Sequence, residues 1–553
     1  MLTDDQQAQI FVDEGQYDNK LNLSKWPSIT TFPVRIPKRV TDILCDQCPY
    51  LSDVSGLPTS VTKIHFHGCT SLKSLAGLSQ GVKELCLDSS TSHDLSELPT
   101  SVRKLHFHEC TSFTSLSGLP TSVTQIYMEK NTSLVDLTGL PSSITKVYFN
   151  GCTSFTSLVG LSTSVTDIVI KDCTSLVDIT GLHEGLISFK VHGCTNLTSV
   201  VGLPDSVSRV DFIACHLIKN LDGLPPNLEI VDFSNCTSLE SIVGLPASIR
   251  YAFFNGCTSL TSVAGISEGT TMVVFNGCTS LKDVHGLPET VEIVEFYNCT
   301  SLTSVDGLPA SVKFAEFSGC TSITNILGLS KGINFLNFTG CTSLTSVSGI
   351  KQCENLTNAC FSDCTSLLSI IGFPESVEKV FFTRCISLTS VVGLPEGVET
   401  VDFEGCTSLT RVVGLPSRLK QVNFSRCTSL TNLSGLPQGL VEADFTNCTS
   451  LKNFDGLPAS ITSACFNGCK SLRRIRRNDS RLQFDGIVDP SLEVHALMTS
   501  GISDKLLSDK VGIGHDIALL IGMFVTPGMT PSDRMETMSE VRQRYGLPLL
   551  KRS

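Results

Sequence analysis

The sequence predicts a repeat solenoid built on one long parallel β-sheet, and three observations carry that reading. Nineteen of the 24 cysteines share one register, from Cys48, Cys69 and Cys110 through Cys152 and Cys173 to Cys448 and Cys469, with Ser90 and Asn131 in two further places. Eighteen of the 20 intervals between these places are 21 residues; Ser90 to Cys110 is 20, and Cys341 to Cys364, which holds Lys351-Gln352-Cys353, is 23. Apolar residues recur at fixed places in each unit, as with Leu302, Val305, Leu308, Val312, Ala315 and Phe317 between Cys299 and Cys320. A unit this short buries its apolar side only by stacking on its neighbours.

In chain order, residues 1–42 read as an N-terminal segment and cap. Leu21-Asn22-Leu23 and the prolines Pro27, Pro33 and Pro37 are placed to cover the exposed edge of the first coil. Residues 43–470 hold about 21 coils. In each, a stretch such as Val312-x-x-Ala315-x-Phe317 alternates with period two, as a strand does, and Gly307-Leu308-Pro309 marks the turn of a return leg too short for a helix. Stacked at about 4.8 Å, the coils span roughly 100 Å. Residues 471–553 read as a small helical domain capping the last coil. Asp489-Pro490 and Thr530-Pro531 offer helix starts, Gly546 offers a stop, and Met535, Met538 and Val541 give one apolar face.

The repeat resembles the leucine-rich repeat, with Val and Phe often in place of Leu and Cys in the usual Asn place. Gly-Leu-Pro and Phe-x-Gly-Cys-Thr-Ser-Leu are similar to bacterial forms found in secreted effectors and surface proteins. The resemblance covers about residues 22–470. It implies a curved solenoid with the sheet on its concave face and a protein-binding role, in an effector delivered to a host. Some such effectors add a ubiquitin-ligase domain with a Cys-x-Asp motif; here no cysteine follows Cys469 and the one Cys-x-Asp, Cys86-Leu87-Asp88, lies inside a repeat, so ligase activity is not expected.

Composition narrows the function further. With 41% hydrophobic and 17% charged residues the chain is too apolar for general disorder, and its net charge of −12 disfavours nucleic acid, whose phosphates need a basic surface. The first residues, MLTDDQQAQIF, lack the basic start and apolar run of a classical signal peptide, and Ile517–Val525 is too short to span a bilayer. A file of parallel thiols, one per coil, has the wrong mutual direction for disulfides, and the cysteines read as small buried hydrophobes. That places the folded protein in a reducing cytosol, its own cell's or a host's.

Counting back from the register residue, positions six, four and two earlier point away from the core. Ile230, Tyr251, Met272, Ile293, Phe314 and Phe335 hold the sixth place in consecutive coils, with Phe253 and Val274 beside them. Such a stripe suits a protein partner, and the acids Asp211, Asp232, Glu295 and Glu316 suit one with basic groups around an apolar centre. The other reading is half-buried support for the core, opposed by Lys63, Glu84, Lys104, Lys146 and Asp167 at the same place in earlier coils.

Near the N-terminus, His65, His67, Cys86, Asp88, His106 and His108 share the outer positions of three successive strands. Their donors suit zinc or another transition metal. The same residues also read as a ladder, because Asp46, His67, Asp88, His108 and Glu129 alternate acid and base. An enzyme is the remaining alternative, using either an unrecognised site in the C-terminal domain or Cys86 as a nucleophile with a histidine base; for Cys86, an open solenoid excludes water poorly, and no oxyanion motif adjoins it.

Overall fold

A Phe-x-x-Cys segment, present in most coils, sets the architecture. The phenylalanine ends a strand facing the core, and the cysteine three residues later closes the turn beneath it. The structure, a computed structural model, describes residues 3–14, 18–88, 94–111, 114–472 and 481–483. Among the described residues, 23 strands pair in parallel into one sheet, each a coil away from the next in sequence. The described residues all belong to one compact unit. The helical C-terminal domain expected from the sequence lies outside the described residues. The sheet itself runs past the expected boundary at 470, because Leu482–Gln483 pairs in parallel with Ala464 and Cys465.

The inward residues of the coil after Cys299 are all buried: Leu302, Val305, Leu308, Val312, Ala315 and Phe317. Thirteen phenylalanines in successive coils, from Phe212 to Phe466, form a continuous stack. Neighbouring rings such as Phe296 and Phe317 lie 5.4 Å apart and 4° from parallel. The thiols take a directed role. From Cys236 to Cys469 each register Sγ donates to the carbonyl of the preceding coil's phenylalanine at 2.9–3.2 Å. Burial pushes Cys236 and Cys406 up to about 12, so the thiols keep the proton this bond needs. At the one described register place without cysteine, buried Asn131 instead accepts from the amides of Ser133 and Leu134 at 3.1 and 3.0 Å.

The glycine of Gly-Leu-Pro turns the chain where the coils nearly touch. Gly160 has φ +88°, and an added Cβ would sit 2.7 Å from the carbonyl carbon of Leu137 one coil below. Gly160→Ala should therefore cost about 2 kcal/mol, from backbone strain plus that clash. Urea unfolding would measure it, with exposed Val159→Ala expected within about 0.5 kcal/mol of wild type. The 23-residue coil absorbs its insertion as a 3-10 turn, Ser348–Gln352, whose following residue Cys353 is buried and donates its amide to Ile350.

At the N-terminal end a helix, Asp4–Glu14, precedes a strand, Lys20–Asn22, that pairs with Asp42–Leu44. Ala8 and Val12 are buried, and Phe11 packs on Trp26 with ring centroids 4.9 Å apart. Asp4 and Asp5 accept from the amides of Ser28 and Thr30 at 2.7 and 2.8 Å, fastening the helix to the following loop. The cap is thus a helix as well as the proline-bearing segment.

Candidate functional site

Strands from Lys104–His108 to Ser188–His192 alternate half-buried or exposed residues with buried ones, so positions six, four and two before the register face away from the phenylalanine stack. Every candidate residue lies on this outer face, and parallel pairing turns each position into a file running coil to coil. Two stretches of these files carry chemistry.

The first lies on the strands Asp42–Leu44, Lys63–Phe66, Glu84–Asp88 and Lys104–His108. The six expected residues do not form one patch. Two groups of donor atoms, each within 4.8 Å of one another, gather instead: Asp46 with His65 and His67, and Glu84 with Cys86 and His106. Cys86 Sγ, 3.9 Å from His65 Nε2, joins them. Asp88 is occupied elsewhere, its carboxylate accepting from the Gly68 amide. His108 faces Glu129 at 3.9 Å and lays its ring edge-on to His67, 5.5 Å away, so the acid–base ladder holds at that end. Asp46 and Glu84 enter because the loop after one strand and the sixth position of another converge on the histidines; reading adjacent files together, instead of one at a time, would have found them.

Burial lowers the pKa of His65 and His106, keeping both imidazoles neutral near pH 7. Burial pushes the Cys86 thiol up to about 12, which leaves no thiolate for nucleophilic attack at neutral pH. Burial alone would raise Glu84, yet the Lys63 ammonium 2.6 Å away holds it below the usual carboxylate range. His106 Nε2 lies 3.2 Å from the same carboxylate, and its ring stacks on Tyr127 at 4.4 Å.

The second stretch is the apolar file. Ile230, Tyr251, Met272, Ile293, Phe314 and Phe335 are direct partners across six strands. The next outer file reads Asp211, Asp232, Phe253, Val274, Glu295, Glu316 and Asn337 in unbroken register. The acids therefore continue the line of Phe253 and Val274 at both ends and do not form a separate rim. Neither file is an open apolar surface. Tyr251 and Glu316 are half-buried, but Ile230, Met272, Ile293, Phe314 and Phe335 are only 2–9% exposed, and Phe253 and Val274 are 1% exposed. Close packing along the file contributes: the rings of Phe314 and Phe335 stack at 4.7 Å.

The acids are held within the fold. Asp211 lies 3.6 Å from Lys190 Nζ and 3.3 Å from Arg209 Nε. Glu295 accepts from Asn276 at 3.0 Å. Glu316 accepts from the Ser318 amide at 2.8 Å and from Asn337 Nδ2 at 2.9 Å, yet burial outweighs these bonds and pushes its pKa up to about 7. One exposed apolar feature was missed from the sequence. Ile371, Val392 and Val413, each just before the turn glycine, stand exposed on three successive return legs. Their shared place in the repeat was the signal.

Residues 212–485 match the BspA type leucine rich repeat region, in overlapping segments 212–314, 247–368, 289–410 and 375–485. Among solved structures, the novel circular LRR protein CroV588 is 16% identical, with 85% of this chain and 91% of that one covered at a TM-score of 0.37. A leucine-rich repeat protein from Bacteroides ovatus is 23% identical over 64% of this chain and 87% of its own, at 0.36. YopM from Yersinia enterocolitica is 16% identical over 81% and 92%, at 0.37. No curated protein matches the sequence. Among the described residues no helix is long and apolar enough to cross a membrane.

Proposed function

We propose that this chain, a leucine-rich-repeat protein of bacterial type, binds another protein on the outer face of its sheet around the coils of residues 209–337. One observation carries the reading. The file that holds Ile230 to Phe335 is charged or polar on both sides of that run, with Lys146 and Asp167 before it and Asn358, Lys379, Thr400 and Gln421 after it, all in the same register. The fold therefore accepts polar residues there, so the repeat alone does not require six consecutive apolar ones. Half-buried Tyr251 and Glu316 bring the apolar and acidic files toward the surface, which favours a partner presenting basic groups around an apolar contact.

All 24 cysteines are free, which suits a reducing cytosol, and a bacterial effector acting in a host's cytoplasm is the setting we infer from the repeat type. The test is photo-crosslinking in host lysate. A crosslinking residue in place of Tyr251 is expected to trap a protein that the same residue in place of exposed Val392 does not. Tyr251→Asp should then weaken binding of the trapped protein by about 30-fold, the loss of one interface hot spot. Trapping at Val392 alone would move the interface to the return legs and overturn the reading.

A further inference from the structure

We propose that Asp46, His65 and His67 hold a divalent transition metal, zinc or a close relative, with Cys86 as the fourth ligand. This site lies on the N-terminal coils and is independent of the protein-binding file. Three features carry it. The donor atoms of Asp46, His65 and His67 already lie within 4.8 Å of one another, on two adjacent coils, and Cys86 Sγ on the third coil is 3.9 Å from His65 Nε2. Metal bonds of about 2.0–2.3 Å need donors roughly 3.5 Å apart, so shifts of about 1 Å bring the Asp46, His65 and His67 donors to bonding distance, and Cys86 would close the shell from the side of His65.

The second feature is an orphan. Asp46 Oδ1 is buried and has no hydrogen-bond partner, a costly state for a carboxylate oxygen that a cation would relieve. The third is the donor set itself. Two imidazoles, a carboxylate and a thiol are the mixed nitrogen, oxygen and sulfur ligands that tetrahedral zinc takes. Binding would displace the Cys86 proton, and the metal's charge would stabilise the resulting thiolate.

The neighbouring group of Glu84, Cys86 and His106 fits less well. Its carboxylate is committed to Lys63 at 2.6 Å. Asp88, bonded to Gly68, and His108, facing Glu129, stand outside the shell.

The test uses the full chain and zinc chloride alone in isothermal titration at neutral pH. One zinc per chain is expected, bound at micromolar strength or better. Asp46→Asn and His67→Gln should each weaken it by about 100-fold, while His106→Gln and His108→Gln leave it unchanged. Circular dichroism of each metal-free variant confirms its fold. Cobalt(II) supplies a readout on wild type that needs no variant: a tetrahedral visible spectrum with a thiolate-to-cobalt charge-transfer band, which Cys86→Ser removes. No binding by wild type, or loss of binding in His106→Gln with Asp46→Asn unaffected, would overturn the site. Tetrahedral cobalt without the sulfur band would overturn the role of Cys86.

Discussion

Phe382→Ala is expected to destabilise the solenoid by about 3–5 kcal/mol, whereas Phe381→Ala, one residue earlier, should cost under about 1 kcal/mol. Phe382 is fully buried, stacked between Phe361 at 5.7 Å and Phe403 at 5.4 Å and met edge-on by Phe373 at 6.0 Å. Its truncation removes transfer energy and leaves a cavity that the flanking rings cannot fill without breaking their own stacks. Phe381 lies half-buried on the outer face, where water replaces what is lost. The damage should also be local in an informative way. Each coil touches only its neighbours, so weakening one interface uncouples the array on either side. Urea unfolding of Phe382→Ala should split into two transitions, and limited proteolysis should cut near residue 382. Equal costs for the two variants would refute the assignment of faces.

The second large effect is one of pH. Burial disfavours the charged form of Glu316 and pushes its carboxyl in the folded chain up to about 7, from an ordinary value of 4.5. A folded-state pKa raised above the unfolded one means that the native chain holds a proton the unfolded chain has released. Stability contributed by this group is therefore full below pH 4.5 and falls as pH rises toward 7, by up to about 3 kcal/mol. Asp402, pushed up to about 6 from 3.8 by the same cause, acts in the same direction over a lower window. Glu316→Gln keeps the acceptor for Asn337 and Ser318 while removing the charge. The variant should be more stable than wild type by as much as about 3 kcal/mol at pH 8 and match it at pH 4.5, measured by urea unfolding at both values. A difference independent of pH would show that the carboxylate is not desolvated.

The solenoid was legible because one register cysteine and its flanking apolar places repeat with almost no slippage, so that Leu302, Val305 and Phe317 needed no outside information to be placed inside. The outer files were legible as files for the same reason. Their exposure was not. Whether Met272 stands open or is 2% exposed depends on how its neighbours pack around it, and no periodicity encodes that. The histidine patch shows the same limit. Counting back from the register placed Asp46 and His67 in one file and His65 in the next, but that donors of the two files converge on one point is a matter of side-chain direction, which the repeat does not encode. The helix Asp4–Glu14 escaped notice because Ala8 and Val12 are too small an apolar stripe to register among polar residues.

The thiol-to-carbonyl bonds also bear on how the chain can travel. Folding engages its sulfur by geometry: each register Sγ from Cys236 onward donates to a backbone oxygen one coil away, inside the packed core. That engagement exists only once neighbouring coils have docked. A route that threads the protein as an extended strand through a pore strips it from those twelve cysteines at once, and any oxidant met before refolding can cross-link distant coils out of sequence order.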